Sequence, residues 1–269
     1  MTNQVGYAGG GTGTEDTNNR PSRNIWKGSP FNEIRDGYRG GTAFFEKFNH
    51  GPIAATATTY VSGGGYRIST GTAATITPDA AQGGGIILTT GASNVQAAFA
   101  SFDTPFQITS GASDLWWEAR VEFDLVADNE PSWFIGLMDS TALGATVPMD
   151  NDGTIGNANL VGFMRSELDG DKLDTMYKAN GVTEVVVKAD AVTVVAATAV
   201  KIGMHFSTKN NKLTFFKNGV ALADTKTIPN ATGTDFPADA FLGLCVGGVS
   251  GSEAAGLCTV SWIRACQAT

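Results

Sequence analysis

The sequence predicts an all-β protein, an antiparallel two-sheet jelly-roll sandwich, and three observations predict it. Glycine supplies 34 of 269 residues and charged residues only 16%, against typical shares of ~7% and ~25%. That composition suits tight turns and half-buried strands better than solvated helices. Short runs that alternate or are wholly apolar recur between Gly, Asp, Asn and Pro, the spacing of a sandwich or barrel. No stretch holds apolar residues at helical spacing, and no repeat of fixed period is visible.

The predicted strands follow in chain order at 85–90, 94–102, 115–125, 133–138, 160–164, 173–177, 183–188, 200–207, 212–217, 220–224, 241–246 and 257–265. Two show their physics plainly. In 115–125, Trp117, Ala119, Val121, Phe123 and Leu125 share one face, while Trp116, Glu118, Arg120, Glu122 and Asp124 share the other. A period of two with opposite polarities predicts one dry and one wet face. In 213–222 the pair Asn218-Gly219 separates two apolar runs, and this pair supplies the two positive-φ residues of a type I′ hairpin turn.

Residues 1–49 differ from the sandwich domain predicted over 50–269. Up to Arg23 almost nothing is apolar, and then isolated anchors appear, among them Ile25, Trp26, Phe31, Ile34 and Tyr38. They keep neither a 3.6 nor a 2.0 period. Ordering a residue costs ~1–2 kcal/mol, so a segment without its own core must borrow a surface. The expectation is an extended arm that crosses a neighbouring subunit. Its six basic and five acidic residues give it +1, and the rest of the chain carries −9, for the formal total of −8.

The chemistry in sight is sparse. An acidic chain with a pI near 4.7 argues against nucleic acid as a partner. No apolar stretch reaches the ~18 residues of a membrane helix, and residues 1–8 have no leader pattern, so no membrane partner is expected. Cys245, Cys258 and Cys266 form no Cys-x-x-Cys and read as reduced core thiols, with a disulfide between two of them as the alternative.

Glu118, Glu122 and Asp124 suggest a glycosidase strand, but Arg120 stands among them and a neighbouring guanidinium depresses carboxylate pKa values. Asp150-Asn151-Asp152-Gly153 fits no EF-hand register, Asp169-Gly170-Asp171 reads as a turn, and His50 and His205 lack partners at zinc spacing. Gly248-Val249-Ser250-Gly251-Ser252 lacks the last glycine of a nucleophile elbow. No catalytic residue, cofactor or metal is therefore expected. Sugar recognition needs an exposed aromatic ring beside fixed polar groups, and Trp116 and Trp133 are the candidate glycan contacts.

Trp116-Trp117-Glu118-Ala119-Arg120-Val121, then Trp133-Phe134-Ile135-Gly136-Leu137-Met138-Asp139, Val161-Gly162-Phe163 and the strand 200–206 before an Asn-Gly turn resemble the concanavalin A-like lectin/glucanase jelly roll over residues 85–265. Asn24-Ile25-Trp26-Lys27-Gly28-Ser29-Pro30-Phe31-Asn32-Glu33-Ile34 with Gly40-Gly41-Thr42-Ala43-Phe44-Phe45-Glu46-Lys47-Phe48 resembles the opening of virion structural proteins of tailed bacteriophages.

That resemblance implies a non-enzymatic decoration or cement protein on the capsid surface, made in the host cytoplasm. The major capsid protein would be its partner and it would associate with copies of itself. Ile25, Trp26, Phe31, Ile34 and Tyr38 would be its capsid contacts. The alternative is a virion-borne module that binds host-surface glycans, or a tail or fibre component.

Overall fold

The computed structural model describes residues 15–48, 55–56, 61–63, 66–70, 73–79, 84–91, 96–101, 105–139, 149, 154–228, 235–250 and 255–269. Its strands, numbered along the chain, are antiparallel and form two sheets. The first runs β15 (Val220–Thr227), β14 (Lys212–Lys217), β13 (Val200–Ser207), β8 (Leu115–Phe123), β17 (Leu257–Ala268), β6 (Ile86–Thr89), β5 (Thr75–Pro78) and β2 (Ala55–Thr56). The second runs β12 (Val185–Thr193), β11 (Lys172–Lys178), β10 (Leu160–Arg165), β9 (Ser132–Met138), β16 (Gly243–Val249), β7 (Gln96–Ser101), β4 (Tyr66–Thr70) and β3 (Val61–Gly63). A further strand, β1 (Gly41–Glu46), pairs with the C-terminal half of β17 where β6 no longer reaches.

The core lies between the sheets because each strand turns its alternate residues inward. Trp117, Val121 and Phe123 of β8 are buried in one cluster with Trp133, Ile135 and Leu137 of β9. Trp117 stacks on Phe163 with ring centroids 6.4 Å apart, and Phe163 meets Phe215 edge-on at 5.5 Å. The predicted two-sheet architecture stands, and each of the twelve predicted runs overlaps an observed strand. The Asn-Gly turn stands as well, with φ of 47° at Asn218 and 77° at Gly219.

The outward face of the second sheet is not wet. Phe134, Met138, Leu160, Met164, Met176, Cys245 and Val249 form a second apolar cluster there with Met149, Ile155 and Ala158 from the β9–β10 connection. Gly136 and Gly162 face each other across β9 and β10. A Cβ on Gly136 would stand 2.3 Å from the Val161 carbonyl oxygen, so only glycine lets these backbones approach. At one end of the sandwich, fully buried Arg165 donates to the carbonyls of Gly170, Pro131 and Ala127 at 2.6–2.7 Å. One guanidinium thus ties three loop positions together.

The expectation of an extended arm over residues 1–49 is corrected for its described part. Residues 15–48 lie against their own sandwich, as two short helices, α1 (Arg23–Trp26) and α2 (Phe31–Arg35), followed by β1. Ile25, Phe31 and Ile34 are buried with Trp116, Cys266 and Ala268. The segment does borrow a surface, as its composition demands, but that surface belongs to the same chain. Burying each such side chain contributes ~1.5–3 kcal/mol.

Candidate functional site

The outward face of β8 and its neighbours carries Trp116, Glu118 and Arg120, with Gly203 and His205 on β13 and Trp262, Arg264 and Cys266 on β17. Sequence polarity predicted a wet face, but Trp116 is 7% exposed and Glu118 is fully buried. The cause is the N-terminal segment. Trp26 donates its indole Nε1–H to Glu118 Oε2 at 2.7 Å, and the Ser22 backbone N–H donates to the same oxygen at 2.9 Å. Ile25 drops into the space that Gly203 leaves open, where a Cβ would stand 2.7 Å from Ile25 Cδ1.

The segment is pinned along its length. Lys201 is 1% exposed, and its Nζ donates to the Arg20 carbonyl at 2.9 Å and pairs with Asp16 Oδ1 at 3.1 Å. Asn218 Nδ2 donates to Glu15 Oε2 at 3.0 Å, so the hairpin turn also holds the strap. Asn19 Oδ1 accepts from Trp262 Nε1 at 3.1 Å. Ser29 Oγ lies 3.1 Å from Cys266 Sγ.

Electrostatics on this face follow from the seal. Burial pushes the Glu118 carboxyl above its usual range, against the hydrogen bonds from Ser22 and Trp26 and the nearby Lys201 charge. Its second oxygen, Oε1, has no hydrogen-bond partner among the described residues. Arg264 is sandwiched by aromatic rings, its guanidinium carbon 4.1 Å from the Trp26 ring centroid and 3.8 Å from that of Phe31. Burial pulls Arg264 down to about 10, so it remains a cation at neutral pH. His205 stacks on Trp116 at 5.0 Å, and burial lowers its pKa, with Asp114 opposing.

Above the seal, the strap forms a cavity of about 540 Å³. Trp26, Phe31 and Arg264 line it together with the amides Asn18, Asn24 and Asn32. Trp26 is half-buried and the three amide residues are exposed. An aromatic wall beside amides and a fixed cation can stack on a sugar ring and hydrogen-bond its hydroxyls.

The predicted site residues divide sharply. Ile25, Phe31 and Ile34, expected as capsid contacts, are spent on the chain's own face, whereas Tyr38 is 88% exposed. Trp26 is divided between Glu118 below and the cavity above. Trp133, expected as a glycan contact, is 1% exposed within the core, with Gly248 against its ring. Trp116, the other glycan candidate, is largely covered and reaches only a smaller cavity of about 350 Å³ beside Asp114.

Asp124 does not stand free beside Glu122, because its Oδ1 accepts the Leu257 N–H at 2.6 Å. The Asp169-Gly170-Asp171 turn is engaged by Arg165 and Lys172. His50 and the 150–153 loop lie outside the described residues. Arg20, Lys201 and Arg264 escaped the sequence reading, since no spacing marks a lysine or arginine that another segment will cover.

No protein-family model matches the chain, and no curated protein matches it. Solved structures do resemble it. An endo-1,3-β-glucanase from Streptomyces sioyaensis superposes with a TM-score of 0.56 at 12% identity, over 86% of this chain and 97% of that one. The catalytic domain of an endo-1,3-β-glucanase (laminarinase) from Thermotoga petrophila RKU-1 gives 0.53 at 8% identity, over 86% and 99%. A β-glucanase from Bacillus licheniformis gives 0.51 at 16% identity, over 85% and 99%.

At these identities the likeness establishes the fold, which is the concanavalin A-like jelly-roll sandwich predicted. It also corrects the expectation that the chain is not an enzyme. That expectation leaned on composition and on Arg120 among the strand carboxylates, yet the three solved structures named above, which share this architecture, are glucanases. Nothing in these similarities points to a bacteriophage capsid.

Proposed function

We propose that this chain is a virion surface protein whose jelly roll is displayed outward and recognises carbohydrate through the cavity over β8. The observation that carries the carbohydrate reading is the half-buried Trp26 set in a cavity wall with Arg264 and exposed Asn18 and Asn32. The indole is fixed from below by Glu118, so little side-chain entropy would be lost when a sugar ring stacks on it. The glucanase likeness supports this reading at the level of fold alone.

The virion assignment rests on the likeness of residues 24–48 to phage structural proteins. Attachment to the major capsid protein uses surface still open to a partner, namely Tyr38 between α2 and β1 and the 42%-exposed Phe45 on β1. Copies of the chain then lie side by side on the shell, where many weak contacts sum through effective concentration.

A glycan array with the intact chain tests the carbohydrate reading. Saturable binding that is lost in Asn32→Ala and Trp26→Ala, with both variants folded by circular dichroism, supports it. Absence of binding to every glycan overturns it. An image reconstruction of the assembled particle tests the location, and this chain is expected on the outer surface. Assaying reducing ends after incubation with 1,3-β-glucan reports whether a bound saccharide is also cleaved.

A further inference from the structure

The charge of the cavity departs from that of the chain. The protein carries a formal net charge of −8, yet the ionisable side chains lining the cavity are the cations Arg20, Arg23, Lys27 and Arg264 and one carboxylate, Asp16. That carboxylate is already paired with Lys201 at 3.1 Å. Arg264 is the fixed member of the set. Two aromatic rings clamp it, and its Nε is buried without a hydrogen-bond partner among the described residues. A guanidinium locked in this way presents donors whose orientation costs little to fix, and its fork matches carboxylate and sulfate oxygens.

Arg20, Arg23 and Lys27 are exposed around it, where long basic side chains draw in an anionic ligand and gain little from a neutral one. A neutral sugar would need only the aromatic wall and the amides. Four cations in one cavity on an acidic protein ask for more.

We infer that the ligand of this cavity is an anionic saccharide, one whose rings carry carboxylate or sulfate groups. The inference rests on the carbohydrate reading above and narrows it to a charge class. The aromatic face of Trp26 takes the ring, and the Arg264 fork takes the acid group.

Titration calorimetry with the full chain separates the cases. The probes are oligogalacturonate for carboxylates, a dextran sulfate oligomer for sulfates, and unmodified dextran of matched length. Binding of either acidic probe is expected, weakened by added salt, with dextran much weaker. Arg20→Gln, Arg23→Gln and Lys27→Gln combined should weaken acidic binding by about tenfold at an unchanged melting temperature. Equal, salt-insensitive binding of dextran would overturn the anionic class while leaving carbohydrate recognition intact. Silence towards both acidic probes would overturn the anionic class, and the glycan array then decides carbohydrate recognition separately. Acidic binding untouched by the triple variant, or matched by single-stranded DNA, would also refute the assignment.

Discussion

Trp26 and Glu118 stand 92 positions apart in sequence and share a 2.7 Å hydrogen bond, indole Nε1–H to carboxylate Oε2. The contact joins a segment with no core of its own to the centre of a sheet. It also decides the state of the face beneath, because the carboxylate that a bare sheet would offer to solvent is turned into a buried anchor.

The anchor makes stability depend on pH. Burial holds the Glu118 carboxyl above its usual value of 4.5, so the folded chain keeps a proton there that the unfolded chain has already released. This contribution is fully present below the unfolded value and is lost as pH rises through the folded one. Glu118→Gln keeps an acceptor for Trp26 without the titration. Denaturation midpoints should therefore favour the variant increasingly as pH rises above the ordinary carboxyl value of 4.5. A difference that stays constant with pH would contradict the assignment.

Ile25 and Gly203 form a knob and its hole. Gly203→Ala places a methyl 2.7 Å from Ile25 Cδ1 and 2.9 Å from the Trp117 carbonyl, and overpacking of this kind costs ~1–3 kcal/mol. Ile25→Ala leaves a void at a cost of ~2–5 kcal/mol. Together they should cost less than their sum in urea denaturation, since truncating Ile25 relieves part of the clash. Strict additivity would show that the two do not touch.

Arg165 serves three carbonyls that lysine cannot reach with one ammonium. Arg165→Lys is expected to destabilise by about 2–4 kcal/mol, the cost of stranding buried acceptors. A loss below ~0.5 kcal/mol, the range of ordinary surface substitutions, would demote the residue.

The cysteines give a chemical check. Cys245, Cys258 and Cys266 are free and buried, and burial raises the pKa of each thiol. A thiol-specific reagent should leave all three unmodified in the native chain and label them only as it unfolds. Rapid labelling of any one in the folded state would show that its cover is loose.

The sandwich was legible because its strands carry local signals. The alternation in β8 and the Asn218-Gly219 turn are written in neighbouring residues. The structure keeps the turn, and keeps the alternation of burial over 119–123, while Trp116 and Glu118 are covered and Leu125 is 37% exposed beyond the strand. The glycines of β16 hid its neighbours' burial, since Gly248 contributes only a space filled by Trp133.

Residues 15–48 were illegible for a different reason. Helices of four and five residues are too short to show a period, and β1 is defined by pairing with a strand more than two hundred residues away. The polarity of Glu118 pointed outward truthfully, but polarity does not say what lies on top. The cavity's cations come from α1, the residues on either side of it, and β17, and nothing local announces that juxtaposition.

Hydrogen exchange on the isolated chain tests most directly whether the N-terminal segment belongs to its own jelly roll. The amides of β1, paired with β17, and the Ser22 amide bonded to Glu118 should exchange as slowly as the neighbouring sheet. Exchange across 22–46 at the rate of an unfolded peptide, with the sheets still protected, would return the segment to the status of a detached arm and dissolve the cavity with it.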